Sequence, residues 1–95
     1  MGIRVHIAHK YDVDFHETDG VSVDEFLRNI DKLMEFDEGI VEWHDEENEM
    51  AWELNRNAVV NAAKNMEIDE DTRVFLKKLL AQSNPDLDFM RIEFY

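Results

Sequence analysis

Ninety-five residues carry 23 acidic and 10 basic side chains, a formal net charge of −13, with 44% apolar residues, one proline, three glycines and no cysteine. This excludes a disulfide framework, a thiolate nucleophile and a cysteine-ligated metal, and the charge opposes direct binding to nucleic acid or anionic lipid. The apolar and aromatic content is that of a folded chain, not a disordered one, and the length suits a single domain spanning residues 1–95.

The first thirteen residues after Gly2 alternate. Ile3, Val5, Ile7, His9, Tyr11, Val13 and Phe15 occupy odd positions, with Arg4, His6, Ala8, Lys10, Asp12 and Asp14 between them. A period of two held that long predicts one half-buried strand over 3–15, with His9 in its inward row. Val21-Ser22-Val23-Asp24-Glu25-Phe26 then reads as a helix start, with Ser22 as N-cap, Glu25 as its capping-box partner, and Val21 and Phe26 as a hydrophobic staple. Val23, Phe26, Leu27, Ile30, Leu33 and Met34 form one apolar stripe, and Gly39 is the expected left-handed exit.

Residues 46–66 suit a long helix by propensity, but alternation favours a hairpin. Val41 and Trp43 would lie on one strand and Met50, Trp52 and Leu54 on the other, joined by Glu46-Glu47-Asn48-Glu49. That register places Trp43 opposite Trp52, Val41 opposite Leu54, and Glu42 opposite Glu53. Asn55 caps a second helix over 56–66, whose inner face is Ala58, Val59, Ala62, Ala63 and Met66. Asn57, Asn61 and Asn65 recur every four residues along it as a solvated stripe. Asp69 caps a third helix with Phe75, Leu76, Leu79 and Leu80 inward, Ser83-Asn84-Pro85-Asp86 ends it, and Met90, Ile92 and Phe94 mark a last strand. The expected fold is α+β in the order β-α-β-β-α-α-β, with helices on one face of a mostly antiparallel four-stranded sheet.

The charge is local. Residues 12 to 53 hold 16 acids against only Arg28 and Lys32, while the remainder holds 7 acids against 8 bases. Apolar residues run through the acidic segment at regular spacing, so it is a folded surface. Asp37 and Glu38 lie where the first helix's dipole prefers cations, and Glu42 opposite Glu53 is a repulsive pair. Asp12, Asp14, Glu17, Asp19, Asp31, Glu35, Asp37, Glu38, Glu42, Glu46, Glu47, Glu49 and Glu53, with Trp43 and Trp52 as aromatic anchors, are therefore the candidate contacts for a basic protein surface. The expected function is non-enzymatic binding in the cytoplasm, as an inhibitor whose carboxylates mimic nucleic-acid phosphates and occupy a nucleic-acid-binding protein's groove. In size and charge alone the chain is like immunity proteins and phage-encoded inhibitors, a likeness that carries no residue across.

Enzyme signals are thin. Ser22 and Ser83 have structural roles, the glycines are isolated, and no acid–base pair stands out among so many carboxylates, so no catalytic residue and no cofactor is expected. Asp12, Asp14 and His16 are the best set for a metal-assisted hydrolase, but they need a further ligand. No metal site is expected, and His6 and His9 point to opposite sides of a strand. The alternative to charge-based binding is a structural subunit or homodimer using Phe89, Tyr95 or an unpaired sheet edge. Neither membrane insertion nor a secretory leader is expected, since there is no long apolar run and no apolar leader core after Met1.

Overall fold

The computed structural model describes residues 3–10 and 13–95. Its elements are β1 (Val5–Lys10), β2 (Val13–Glu17), α1 (Val23–Phe36), a 3-10 turn (Glu38–Ile40), β3 (Val41–His44), β4 (Ala51–Asn55), α2 (Arg56–Lys64), α3 (Glu70–Gln82) and β5 (Phe89–Phe94). The strands form one antiparallel sheet in the order β2-β1-β5-β4-β3. The fold is thus the expected α+β domain with one strand more than expected.

That extra strand corrects the reading of residues 3–15. They form a hairpin, with His6 opposite Glu17, Ile7 opposite His16, and Ala8 opposite Phe15. Pairing odd with even positions means that Phe15 lies on the other side of the sheet from Ile7. No glycine, proline or asparagine separates the two strands in the sequence; within β2, Asp14 has a φ of 57°, a left-handed conformation that aspartate tolerates better than most residues. Tyr11 and Asp12 lie outside the described residues.

All three helices cover one face. Phe26, Ile30 and Leu33 of α1, Val59 and Ala62 of α2, and Phe75, Leu76 and Leu79 of α3 pack on Val5, Ile7, Trp52, Leu54, Met90, Ile92 and Phe94. Phe26 is the hub, its ring 5.6 Å from Trp52, 5.6 Å from Phe75 and 5.3 Å from Phe94. These tilted and edge-on contacts suit aromatic quadrupoles. Inside this core, Thr72 of α3 donates a hydrogen bond to Asn29 Oδ1 of α1 at 2.9 Å, and Asn29 Nδ2 donates to the Glu25 carbonyl at 2.8 Å, so the buried amide is satisfied at both ends.

The caps follow the sequence closely. Ser22 Oγ accepts from Glu25 N–H, Asn55 Oδ1 from Ala58 N–H, and Asp69 Oδ1 from Thr72 N–H. Glu25, however, sends its carboxylate to Lys78 at 3.3 Å. Gly39 is not a left-handed exit: α1 ends on extended Asp37, whose Oδ1 accepts from Gly39 N–H. The glycine that needs its freedom is Gly20, with φ 72° just before α1. Met66 is not on the inner face, because α2 stops at Lys64 and leaves Met66 94% exposed. Asn57 and Asn61 are exposed as expected, while Asn65 caps the helix end.

The hairpin of residues 41–55 is present, but its register shifts. Val41 pairs with Leu54 as expected, whereas Trp43 pairs with Glu53 and His44 with Trp52. Glu42 is the extra residue of a β-bulge. The two tryptophans are therefore not opposite each other, and neither are Glu42 and Glu53.

Candidate partner-binding surface

The sheet order separates what the sequence joins. β2 and β3 are the two outer strands, so the acidic segment begins at one edge and ends at the other, with α1 crossing between them. At the β2 edge, Glu17 pairs with Arg4 at 3.4 Å, Asp14 lies 3.5 Å from His16, and the exposed Asp19 follows. Asp12 is outside the described residues. At the β3 end are Glu35 at the close of α1, Asp37 and Glu38 in the turn, Glu42, the loop acids Glu46, Glu47 and Glu49, and Glu53 on β4; Asp31 is exposed one turn earlier on α1.

Between Lys32 and Arg56 the chain has nine acids and no Lys or Arg. None of these nine forms an ion pair among the described residues. The nearer cations are committed elsewhere: Lys32 to Asp69 at 3.2 Å, Arg28 to Asp24 at 3.9 Å and Arg91 to Glu93 at 3.2 Å.

Local backbone chemistry explains how the loop acids are held out. Asp45 Oδ1 accepts from Glu47 N–H at 3.1 Å and Asn48 N–H at 3.3 Å, Glu49 N–H closes on the Asp45 carbonyl at 2.8 Å, and Glu49 takes φ 53°. Asp45 thus spends its carboxylate on the loop. From inside, the Trp52 indole N–H donates to the Glu49 carbonyl at 3.1 Å. Glu46, Glu47 and Glu49 are left exposed.

The tryptophans divide the work. Trp52 is 2% exposed and belongs to the core, whereas Trp43, on the helix-free side of the sheet, is 46% exposed. The Arg91 guanidinium sits 4.9 Å from the Trp43 ring centroid, a cation–π contact that props the indole. Arg91 escaped the sequence reading, although β5's alternation already placed it opposite Met90 and Ile92. His44 stacks on Trp52 at 4.8 Å, its Nδ1 buried without a hydrogen-bond partner among the described residues.

A shallow groove of about 650 Å³ runs beside β3. Met34 and Val41, both packed against the core, and Trp43 form its apolar part, and Glu42, Asp45, Glu46 and Glu47 its acidic part. Glu42 is steadied by Asn55 Nδ2, which donates to its Oε1 at 3.0 Å. A hollow of similar size, about 700 Å³, lies at the far end between residues 3–5 and 17–25, but two of its charged residues, Arg4 and Glu17, neutralise each other.

His9 is half-buried, not core, its ring 4.1 Å from His16, and no group of three potential ligands is placed to hold a metal ion among the described residues. No helix of the described residues is long and apolar enough to cross a membrane. No family model, curated protein or solved structure matches the chain.

Proposed function

We propose that the protein is a non-enzymatic binding module that engages a basic protein surface through the β3 end of its sheet. One observation carries this reading: nine acids between Lys32 and Arg56 have neither an intervening cation nor an ion-paired partner among the described residues, and four of them share a groove with an exposed tryptophan. Like charges gathered this way repel one another, and a basic partner relieves that repulsion while the indole supplies apolar contact area. In this reading the contact set is Glu35, Asp37, Glu38, Glu42, Trp43, Glu46, Glu47, Glu49 and Glu53, which lie toward the β3 end. Trp52 supports it from within, and Asp14, Glu17 and Asp19 belong to the other edge. Basic grooves of this kind are typical of nucleic-acid-binding proteins, so an inhibitor whose carboxylates stand in for phosphates is the form we favour.

The test is the salt dependence of partner capture from the native host's lysate, repeated with Glu42, Glu46, Glu47 and Glu53 each reversed to Lys. Capture that falls steeply with salt and with each reversal is expected; capture indifferent to all four reversals overturns the proposal. A second reading has its own observation. On the helix-free face Tyr95 is 57% exposed and stacks on His6 at 3.8 Å, with Phe15 edge-on at 6.4 Å, which suits apolar self-association. A single monomeric mass across a wide concentration range removes that reading.

A further inference from the structure

We propose that the groove beside β3 is built for an amphipathic basic segment of a protein, in which an apolar side chain lies between lysines or arginines. The inference rests on the preceding reading and adds what the acidic surface alone does not specify: the partner must bring an apolar residue as well as charge. Met34 and Val41 give the groove a floor continuous with the core on the helix side of β3, and Trp43, which faces the other side of the strand under Arg91, borders it at the sheet edge. Glu42, Glu46 and Glu47 stand along the acidic part, with no lysine or arginine in the lining. A purely polycationic ligand would satisfy the carboxylates and leave the apolar floor wet, whereas a leucine-sized side chain seated there removes that surface from water. At about 650 Å³ the groove has room for a few side chains.

The backbone of β3 argues against the simpler alternative of strand addition. β3 has four residues, a bulge at Glu42 and acidic neighbours, three devices that discourage edge-to-edge pairing. Recognition then depends on side chains, and its specificity lies in the spacing of apolar and cationic groups.

The experiment uses the full chain and two labelled peptides of equal charge, one alternating lysine with leucine and one alternating lysine with glycine, with binding followed by fluorescence anisotropy at low salt. The lysine–leucine peptide is expected to bind about tenfold tighter or more, since one buried leucine is worth roughly 1.5–3 kcal/mol and tenfold is about 1.4. Met34→Gln and Val41→Thr, each checked for retained fold by circular dichroism, are expected to bring the lysine–leucine affinity down to that of lysine–glycine and to leave the latter unchanged. Equal binding of both peptides by the unsubstituted protein overturns the groove while leaving the acidic surface standing. A leucine preference untouched by both substitutions also overturns it, because the apolar contact then lies elsewhere. Binding of neither peptide removes the acidic-surface reading itself.

Discussion

The α2–α3 half and the β3 end of this molecule use charge in opposite ways. Around α2 and α3 the arginines are consumed by the fold. Arg56 donates to the Leu87 carbonyl at 2.6 Å, to Ser83 Oγ at 2.7 Å and to the Asn84 carbonyl at 2.6 Å, and Arg73 donates to the carbonyls of Ala63, Asn65 and Ile68 and pairs with Glu70. Each guanidinium ties together helix-end and loop carbonyls, although the Asn65 and Asn84 carbonyls also accept backbone N–H groups. Burial lowers the Arg56 pKa from its ordinary value, and Asp88 partly opposes that shift. At the β3 end the carboxylates do almost nothing for the fold. Asp37, Asp45 and Glu42 accept hydrogen bonds, and the remaining acids there extend from a scaffold held by Trp52, Ile40 and Leu54, all buried. Charge that the fold does not use, kept on a rigid support, is what the proposed contact surface requires.

The contrast can be broken at several points, beginning with the tryptophans. Trp52→Ala removes a fully buried ring and the donor that pins Glu49, and should lower unfolding free energy by about 3–5 kcal/mol. Trp43→Ala, on the exposed side, should cost about 1 kcal/mol or less. Denaturant titration of both variants measures the difference, and similar losses would mean that Trp43 is structural. Arg56→Met should cost about 1–3 kcal/mol, because it leaves the Leu87 carbonyl without its donor and takes one hydrogen bond each from the Ser83 hydroxyl and the Asn84 carbonyl; a midpoint like that of the unsubstituted protein would show that water replaces the guanidinium. Asp69 offers a gentler probe. The Thr72 backbone N–H and the Lys32 ammonium hold its carboxyl below the ordinary aspartate pKa. Its contribution to stability is therefore complete above the ordinary carboxylate value and is lost as pH falls through the depressed one. Asp69→Asn, which keeps a capping side chain but not its charge, should lower the neutral plateau slightly toward the acid value and so flatten the acid limb of the stability profile. Smallest of all, Glu46→Gln, Glu47→Gln and Glu49→Gln combined should shift stability by about 0.5 kcal/mol or less, toward greater stability at low salt, with the gain vanishing as salt screens the repulsion.

Much of this fold is written in short-range chemistry. Ser22, Asn55 and Asp69 cap the helices that they are expected to cap, and Met90, Ile92 and Phe94 alternate into the core. The misreadings share a cause, which is that the deciding interaction is distant or leaves no mark. The break between β1 and β2 carries no glycine or proline and hid inside an unbroken alternation, and the bulge at Glu42 moved Trp43 away from Trp52 without altering the period on β4. The acidic surface illustrates the limit best. Its residues were legible, but its division into two edges depends on β5, last in the chain, inserting between β1 and β4 at the centre of the sheet. Nothing local to residues 12–53 encodes that insertion. The groove beside β3, by contrast, is built from residues 34–47 alone, where the end of α1 and the edge strand are joined by one short turn.

The location of the charge, rather than its amount, is the central claim, and two triple variants with equal remaining charge test it directly. One carries Glu46→Gln, Glu47→Gln and Glu49→Gln at the β3 end; the other carries Asp14→Asn, Glu17→Gln and Asp19→Asn at the β2 edge, where asparagine also tolerates the left-handed backbone of residue 14. Measured against the labelled lysine–leucine peptide at low salt, the β3 variant should lose about tenfold or more in affinity and the β2 variant about twofold or less. Equal losses in the two would contradict the account, because binding would then follow net charge and not the surface around Trp43.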